Sequence, residues 1–178
     1  MPERTVSSRR AFTGGLLALR VDEVELASGR GATREVVEHP GAVAMLAWDG
    51  TRLAMVTQWR QAAGAELLEI PAGTREPGES PLITAKRELA EECALAANKW
   101  VEGPSFYTAP GFSTELLTLF LSTDLRPTDT VPPDDEALER SWLTLPDALQ
   151  AIDDWRIRDA KSLVGILWLA RRVAGGET

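Results

Sequence analysis

The chain is expected to fold as an α/β protein, and three observations carry that expectation. Apolar residues alternate in strand-like fashion at 17–26, 33–38 and 53–58, with a continuous apolar run at 42–48. A short helix with clear start signals follows near residue 81, and further strand-like and helix-like segments come after it. With 178 residues, 44% of them hydrophobic and 26% charged, the chain can bury a real core as a soluble globular protein.

The first ten residues are polar and read as loose. Leu17 to Leu26 alternates, Ser28-Gly29-Arg30-Gly31 turns the chain, and Thr33 to Glu38 reads as a second strand. His39-Pro40-Gly41 breaks that pattern. The apolar run Ala42 to Trp48 meets Asp49-Gly50, a hairpin signal, and Leu53 to Gln58 reads as the returning strand. Ser80 is a good N-cap and Pro81 suits a first helical turn. Leu82, Ala85, Leu89 and Cys93 then share one helix face, while Glu88, Glu91 and Glu92 share an adjoining one. Leu116 to Ser122 reads as a strand, Asp124 to Glu136 as a Pro- and Asp-rich loop, and Ser141 to Leu143 as a short strand. Thr144 with Pro146 starts a helix, and Ala160 to Val173 is a final amphipathic one. Residues 1–39 hold few apolar side chains and are expected to form an N-terminal β unit that needs a partner surface; residues 40–178 form the main domain.

The net charge of −8, from 27 acids against 19 bases, argues against a nucleic-acid binder, which would show a basic stripe. It leaves room for a small anionic substrate, because bound cations reverse the local sign. Cys93 is the lone cysteine, so no intrachain disulfide is possible. The opening Met-Pro-Glu-Arg lacks the apolar run of a signal peptide, and no stretch of about 18 apolar residues offers a membrane span. A cytoplasmic protein is the expectation.

Residues 73–95 say most about chemistry. Glu79 opens the acidic run, and Arg87, Glu88, Glu91 and Glu92 crowd the helix. Like charges four apart, such as Glu88 and Glu92, cost roughly 0.2–0.5 kcal/mol per exposed pair. One reading is a solvated acidic face, partly neutralised by Lys86 and Arg87. The other is that the acids hold a divalent metal, and carboxylate-held metals often act on phosphates.

Gly73, Glu79, Arg87, Glu88, Leu89, Glu91, Glu92 and Leu95 fit the type and spacing of the Nudix box, eight of its nine defined positions over 23 residues. The chain resembles the Nudix hydrolase family. The departure is Ala94, where the pattern has Gly; a left-handed backbone there would cost alanine about 1 kcal/mol. The resemblance implies a mixed sheet between helices, an α/β/α sandwich, with the small antiparallel N-terminal unit beside it. It also implies Mg²⁺, or Mn²⁺, held by Glu88 and Glu92, with Glu91 and the carbonyl of Ala72 contributing. Arg87 and Glu79 would brace those glutamates.

Two stretches outside the box resemble the ADP-ribose pyrophosphatase branch. One is the succession from Glu35-Val36-Val37-Glu38-His39-Pro40-Gly41-Ala42-Val43 through Gln58-Trp59-Arg60 to Glu69-Ile70-Pro71-Ala72-Gly73. The other is Ser105 to Glu115, whose Pro110 lies 15 residues after Leu95. The substrate implied is a small nucleotide, ADP-ribose, cleaved to AMP and ribose 5-phosphate. Arg60 would contact phosphate, against the plainer reading of a surface cation. Trp59 either stacks on the base or packs in the core. Pro110 and Gly111 make a turn that would shape the pocket beside Glu115. His39 reads as structural. The general base would come from the later acidic loop, Glu136 first and Asp135 second, although a solvent-exposed acidic loop is the alternative. The branch further implies a homodimer built through the N-terminal unit. Other nucleoside diphosphate sugars or dinucleotides share the linkage. A non-catalytic nucleotide-sensing module is the rival from another class, though the box keeps its acids and no basic arm accompanies it.

Overall fold

The structure is a computed structural model that describes residues 3–130 and 138–177. It divides into two compact units: residues 1–41 with 106–116, and residues 42–105 with 117–178.

The first unit is an antiparallel three-stranded sheet in the order β1-β2-β3, with β1 at Arg4–Thr13, β2 at Ala18–Glu25 and β3 at Gly31–Glu38. The N-terminal residues expected to be loose are therefore a strand. β1 is exposed along its whole length, so no apolar alternation marks it; its order comes from pairing with β2. Charged side chains tie the strands together, Arg4 to Glu25, Arg10 and Arg20 to Glu38, and Arg34 to Glu3. Gly29 closes the β2–β3 turn with φ at 80°, a conformation that favours glycine. Residues 106–116 lie along β3, where the Val37 N–H donates to the Phe112 carbonyl at 2.7 Å and the Thr114 N–H to the Val37 carbonyl at 2.9 Å.

The second unit carries two sheets and three helices. The mixed sheet runs β7-β4-β9-β8: β7 at Ala72–Thr74, β4 at Ala42–Ala47, β9 at Leu116–Pro127 and β8 at Leu95–Tyr107. β4 is buried throughout, parallel to β9 and antiparallel to β7. The other sheet runs β10-β5-β6, with β5 at Arg52–Arg60 between β6 (Ala65–Glu69) and β10 (Glu139–Thr144), all antiparallel.

Asp49-Gly50 is a turn but not a hairpin. Its carboxylate accepts the N–H groups of Thr51 and Arg52, yet both edges of β4 are already taken by β7 and β9. The chain therefore crosses to the second sheet, with a single bridge between Trp48 and Leu53 and the Asp49 N–H on the Arg52 carbonyl at 3.1 Å spanning the turn. β9 also outruns its sequence signal, continuing to Pro127 and into the first residues of the expected loop, because Leu125 packs against the core.

Helix α1 is Pro81–Cys93, α2 Leu145–Asp153 and α3 Ala160–Ala174. α1 sets Ala85 and Leu89 into a cluster with Val43, Met45, Ala47 and Phe120. α3 approaches through Gly165, where a Cβ would meet Ile70 Cδ1 at 2.9 Å and Leu46 Cδ2 at 3.3 Å. Successive residues of a strand face opposite sides. The odd residues of β4 thus meet α1 while Leu46 meets α3, so the mixed sheet lies between helices as the α/β/α expectation requires.

Candidate functional site

The site is assembled on α1 and on the segment Glu69-Ile70-Pro71-Ala72-Gly73 between β6 and β7. Ser80 caps α1 by accepting the Ile83 N–H, and Pro81 takes the first turn. The helix ends on Ala94, which adopts the left-handed conformation at φ 53° and ψ 39°. No basic residue lies in its last turn. Arg140, from β10, serves instead, donating to the carbonyls of Glu92 at 2.6 Å and Glu91 at 3.2 Å. A cation there satisfies orphan carbonyls and the negative end of the helix dipole. Sequence reading missed Arg140, since nothing local to it announces a helix end 47 residues away.

Arg87 is the hub. Its Nε and Nη2 donate to the two oxygens of Glu79 at 3.1 and 3.0 Å, and Nη1 donates to Glu88 at 2.8 Å and to Glu91 at 3.0 Å. Glu79 also accepts the Thr84 hydroxyl at 2.9 Å and the Glu76 N–H at 3.2 Å. The Arg87 hydrogen bonds, helped by these donors, pull the Glu79 carboxyl down to about 2 and push the guanidinium up. Glu92 is only 4% exposed, and its Oε2 accepts the Ala72 N–H at 2.8 Å. Gly73 lies against Glu88 so closely that a Cβ there would fall 1.9 Å from the carboxyl carbon. The helix acids and the β7 backbone are thereby brought together. Cys93, half-buried at the helix end, has its thiol pushed up to about 12 by desolvation.

The other residues singled out from sequence fall as follows. Trp59 is 57% exposed, with its indole N–H on Gln61, so it is not a core residue. Arg60 pairs with Glu69 through two hydrogen bonds, at 3.0 and 2.6 Å. Pro110 and Gly111 sit in a tight turn of the first unit, where Phe112 and Ser113 both donate to the Ala109 carbonyl. That turn borders an open groove of about 560 Å³ lined by Arg34, Val36, Tyr107 and Phe112. Glu115, in the same unit, accepts the Thr108 hydroxyl and lies 3.8 Å from His39. His39 accepts the Gly41 N–H, a structural contact. Asp135 and Glu136 lie outside the described residues.

The donor set of Glu88, Glu91, Glu92 and the Ala72 carbonyl is all oxygen, the chemistry a hard divalent cation takes. Among the described residues no three such side chains converge at ligating distance, and Glu88 and Glu91 are bonded to Arg87. The absent side chain at Gly73 is what lets the Glu88 carboxylate lie against the strand. Among the described residues, one guanidinium, that of Arg87, pairs with three carboxylates. By donor chemistry the residues fit a hard divalent cation.

Comparison with known proteins agrees with this geometry. The chain is 38% identical over 177 residues to an ADP-ribose pyrophosphatase of Bacillus subtilis (strain 168), covering 98% of this chain and 96% of that one. It is also 38% identical to a methanol dehydrogenase activator of Bacillus methanolicus, covering 94% and 92%. The crystal structure of an ADP compounds hydrolase superposes with a TM-score of 0.88 at 18% identity, over 100% of this chain and 98% of that one, which shows the shared fold. A model of the NUDIX domain matches residues 37–164, and with that match and those identities the chain belongs to the Nudix family.

Proposed function

We propose that this protein is a pyrophosphohydrolase that cleaves the diphosphate of ADP-ribose to AMP and ribose 5-phosphate. The observation that carries this reading is Arg87 held among Glu79, Glu88 and Glu91, with Glu92 fixed on the Ala72 N–H beside them. The name of the Bacillus subtilis relative supports the substrate.

Glu88, Glu91, Glu92 and the Ala72 carbonyl hold Mg²⁺, or Mn²⁺, in this reading. When bound, the metal neutralises phosphate oxygens and lowers the pKa of a coordinated water. Glu79, fully ionised, keeps Arg87 charged and fixed, and Arg87 in turn orients Glu88 and Glu91. Arg60 carries a diphosphate oxygen, and the exposed indole of Trp59 offers a flat face to the base. Glu136, or failing it Asp135, takes the proton of the attacking water. Residues 1–39 act as the N-terminal unit through which the chain dimerises, with 40–178 as the hydrolase domain. Among the described residues no helix is long and apolar enough to cross a membrane, and the cytoplasm is the proposed compartment.

The test is a panel with Mg²⁺ containing ADP-ribose, other nucleoside diphosphate sugars and dinucleotides, read by released AMP and phosphosugar. ADP-ribose should give the highest kcat/KM. Faster turnover of another member, or binding of ADP-ribose without product, would overturn the reading.

A further inference from the structure

We propose that Glu69 and Lys161 are positioning residues, which hold the Arg60 guanidinium in one orientation for a substrate phosphate. This rests on the reading that the site takes a diphosphate.

Arg60 gives Nε and Nη2 to the two oxygens of Glu69, a fork geometry that fixes the plane of the guanidinium. Glu69 is 1% exposed, and one partly exposed arginine is poor compensation for a buried carboxylate. Lys161 supplies the rest, its Nζ 2.5 Å from Glu69 Oε2 and 3.0 Å from Asp159 Oδ2. Asp159 is itself fixed as the N-cap of α3, accepting the Ser162 N–H at 3.1 Å. Ser162 completes the brace, its Oγ accepting the Ile70 N–H at 2.8 Å. The first turn of α3 therefore grips two consecutive residues of the segment that leads into Ala72 and Gly73.

Burial has a direction in this cluster. The side chain of Glu69 is sealed and those of Lys161 and Asp159 are mostly covered, whereas that of Arg60 keeps 37% of its surface open. Glu69 engages only two of the five guanidinium donors, so the remainder can serve an anion. Arg60 also feels the negative charge of Glu92, which places it within electrostatic reach of the acidic helix. A cluster serving stability alone has no need to end in an open cation beside that helix.

The experiment is a double-mutant cycle of Arg60→Ala and Glu69→Gln, read as the dissociation constant of α,β-methylene-ADP with Mg²⁺ by calorimetry. This probe carries an uncleavable diphosphate mimic. Each single variant should weaken binding by about tenfold, the scale of one charge-assisted contact. The double variant should bind no more weakly than Arg60→Ala alone, because Glu69 acts through Arg60. Multiplying effects, or no wild-type binding, would overturn the proposal. Should Glu69→Gln not fold, Lys161→Met takes its place in the cycle under the same criterion. For that variant, KM for ADP-ribose should rise several-fold with kcat nearly unchanged. A wild-type enzyme that binds the probe with a non-additive cycle yet releases no AMP from ADP-ribose would defeat the proposed activity and leave this inference standing.

Discussion

Arg87 and Glu69 centre two ion clusters of opposite construction. Around Arg87, one cation meets three carboxylates, with a fourth acid, Glu92, on the same helix. Around Glu69, two cations, Arg60 and Lys161, meet Glu69 and Asp159, and the charges balance. A balanced, buried cluster can stand as part of a resting fold. An unbalanced one tends to drive its carboxylates apart unless further positive charge arrives. The excess charge therefore marks where a cation would sit, and the balanced cluster marks where the scaffold holds Arg60 for a phosphate. Substitutions in the first should cost activity before stability, and those in the apolar core packed behind Ile70 should do the reverse.

The largest effect is expected at Glu92. Glu92→Gln keeps an oxygen to accept the Ala72 N–H but removes the charge. Turnover should fall by about 100-fold or more, at or beyond the upper end of what loss of a supporting partner causes, with the thermal midpoint nearly unchanged. Hydrolysis close to wild type would show that the acids of α1 do not hold the metal.

A pair of glycine substitutions breaks the comparison more finely. In Gly73→Ala the new methyl falls on the Glu88 carboxyl group, which must move. Activity should drop by about 10- to 100-fold, as when a metal-site partner is displaced, with little loss of stability. In Gly165→Ala the methyl meets Ile70 and Leu46 in the core. That overpacking should cost about 1–3 kcal/mol, seen in denaturant unfolding, with kcat in the remaining folded protein close to wild type. The reverse pattern would mean that the two clusters do not divide the labour in this way.

How far each cluster was legible in the sequence follows from how local it is. α1 was readable because Ser80, Pro81 and the spacing of Leu82, Ala85, Leu89 and Cys93 all lie within one helix. Glu88, Glu91 and Glu92 came with it, and the family pattern added Glu79, Arg87 and Ala72. The Glu69 cluster was not readable, because Lys161 lies 92 residues beyond Glu69 and no helix or strand period links them. Arg140 escaped for the same reason. β1 escaped because a strand exposed on both faces shows no alternation, only its pairing with β2. β8 escaped because Gly103 and Pro104 interrupt it, which an edge strand tolerates. Asp49-Gly50 was rightly a turn, but only the occupied edges of β4 could show that it joins two sheets.

Acid titration probes the Arg87 cluster from another side. The carboxyl of Glu79 sits at about 2 against an ordinary 4.5. A carboxylate depressed in the folded state contributes stability above its unfolded value and loses it as pH falls through the folded one. Wild type should therefore lose stability more steeply than Glu79→Gln between about pH 4.5 and 2. Parallel curves from denaturant midpoints would mean that the Glu79–Arg87 pair is as loose folded as unfolded.

The smallest expected effect concerns Ala94. Its backbone is left-handed, and its N–H donates to the Ala90 carbonyl at 3.0 Å to close the helix. A Cβ in that conformation crowds the carbonyl that follows, at a cost of about 1 kcal/mol. Glycine removes the crowding but frees the unfolded chain, which offsets part of the gain. Arg140, from β10, already clamps the carbonyls of Glu91 and Glu92, so the helix end should stay where it is. Ala94→Gly is thus expected to raise the thermal midpoint by less than the roughly 2–4 °C that about 1 kcal/mol produces in a chain of this length, while kcat/KM stays put. A change in kcat/KM with that gain would show that strain at residue 94 reaches Glu91 and Glu92, and that the helix end helps set how the acids are presented.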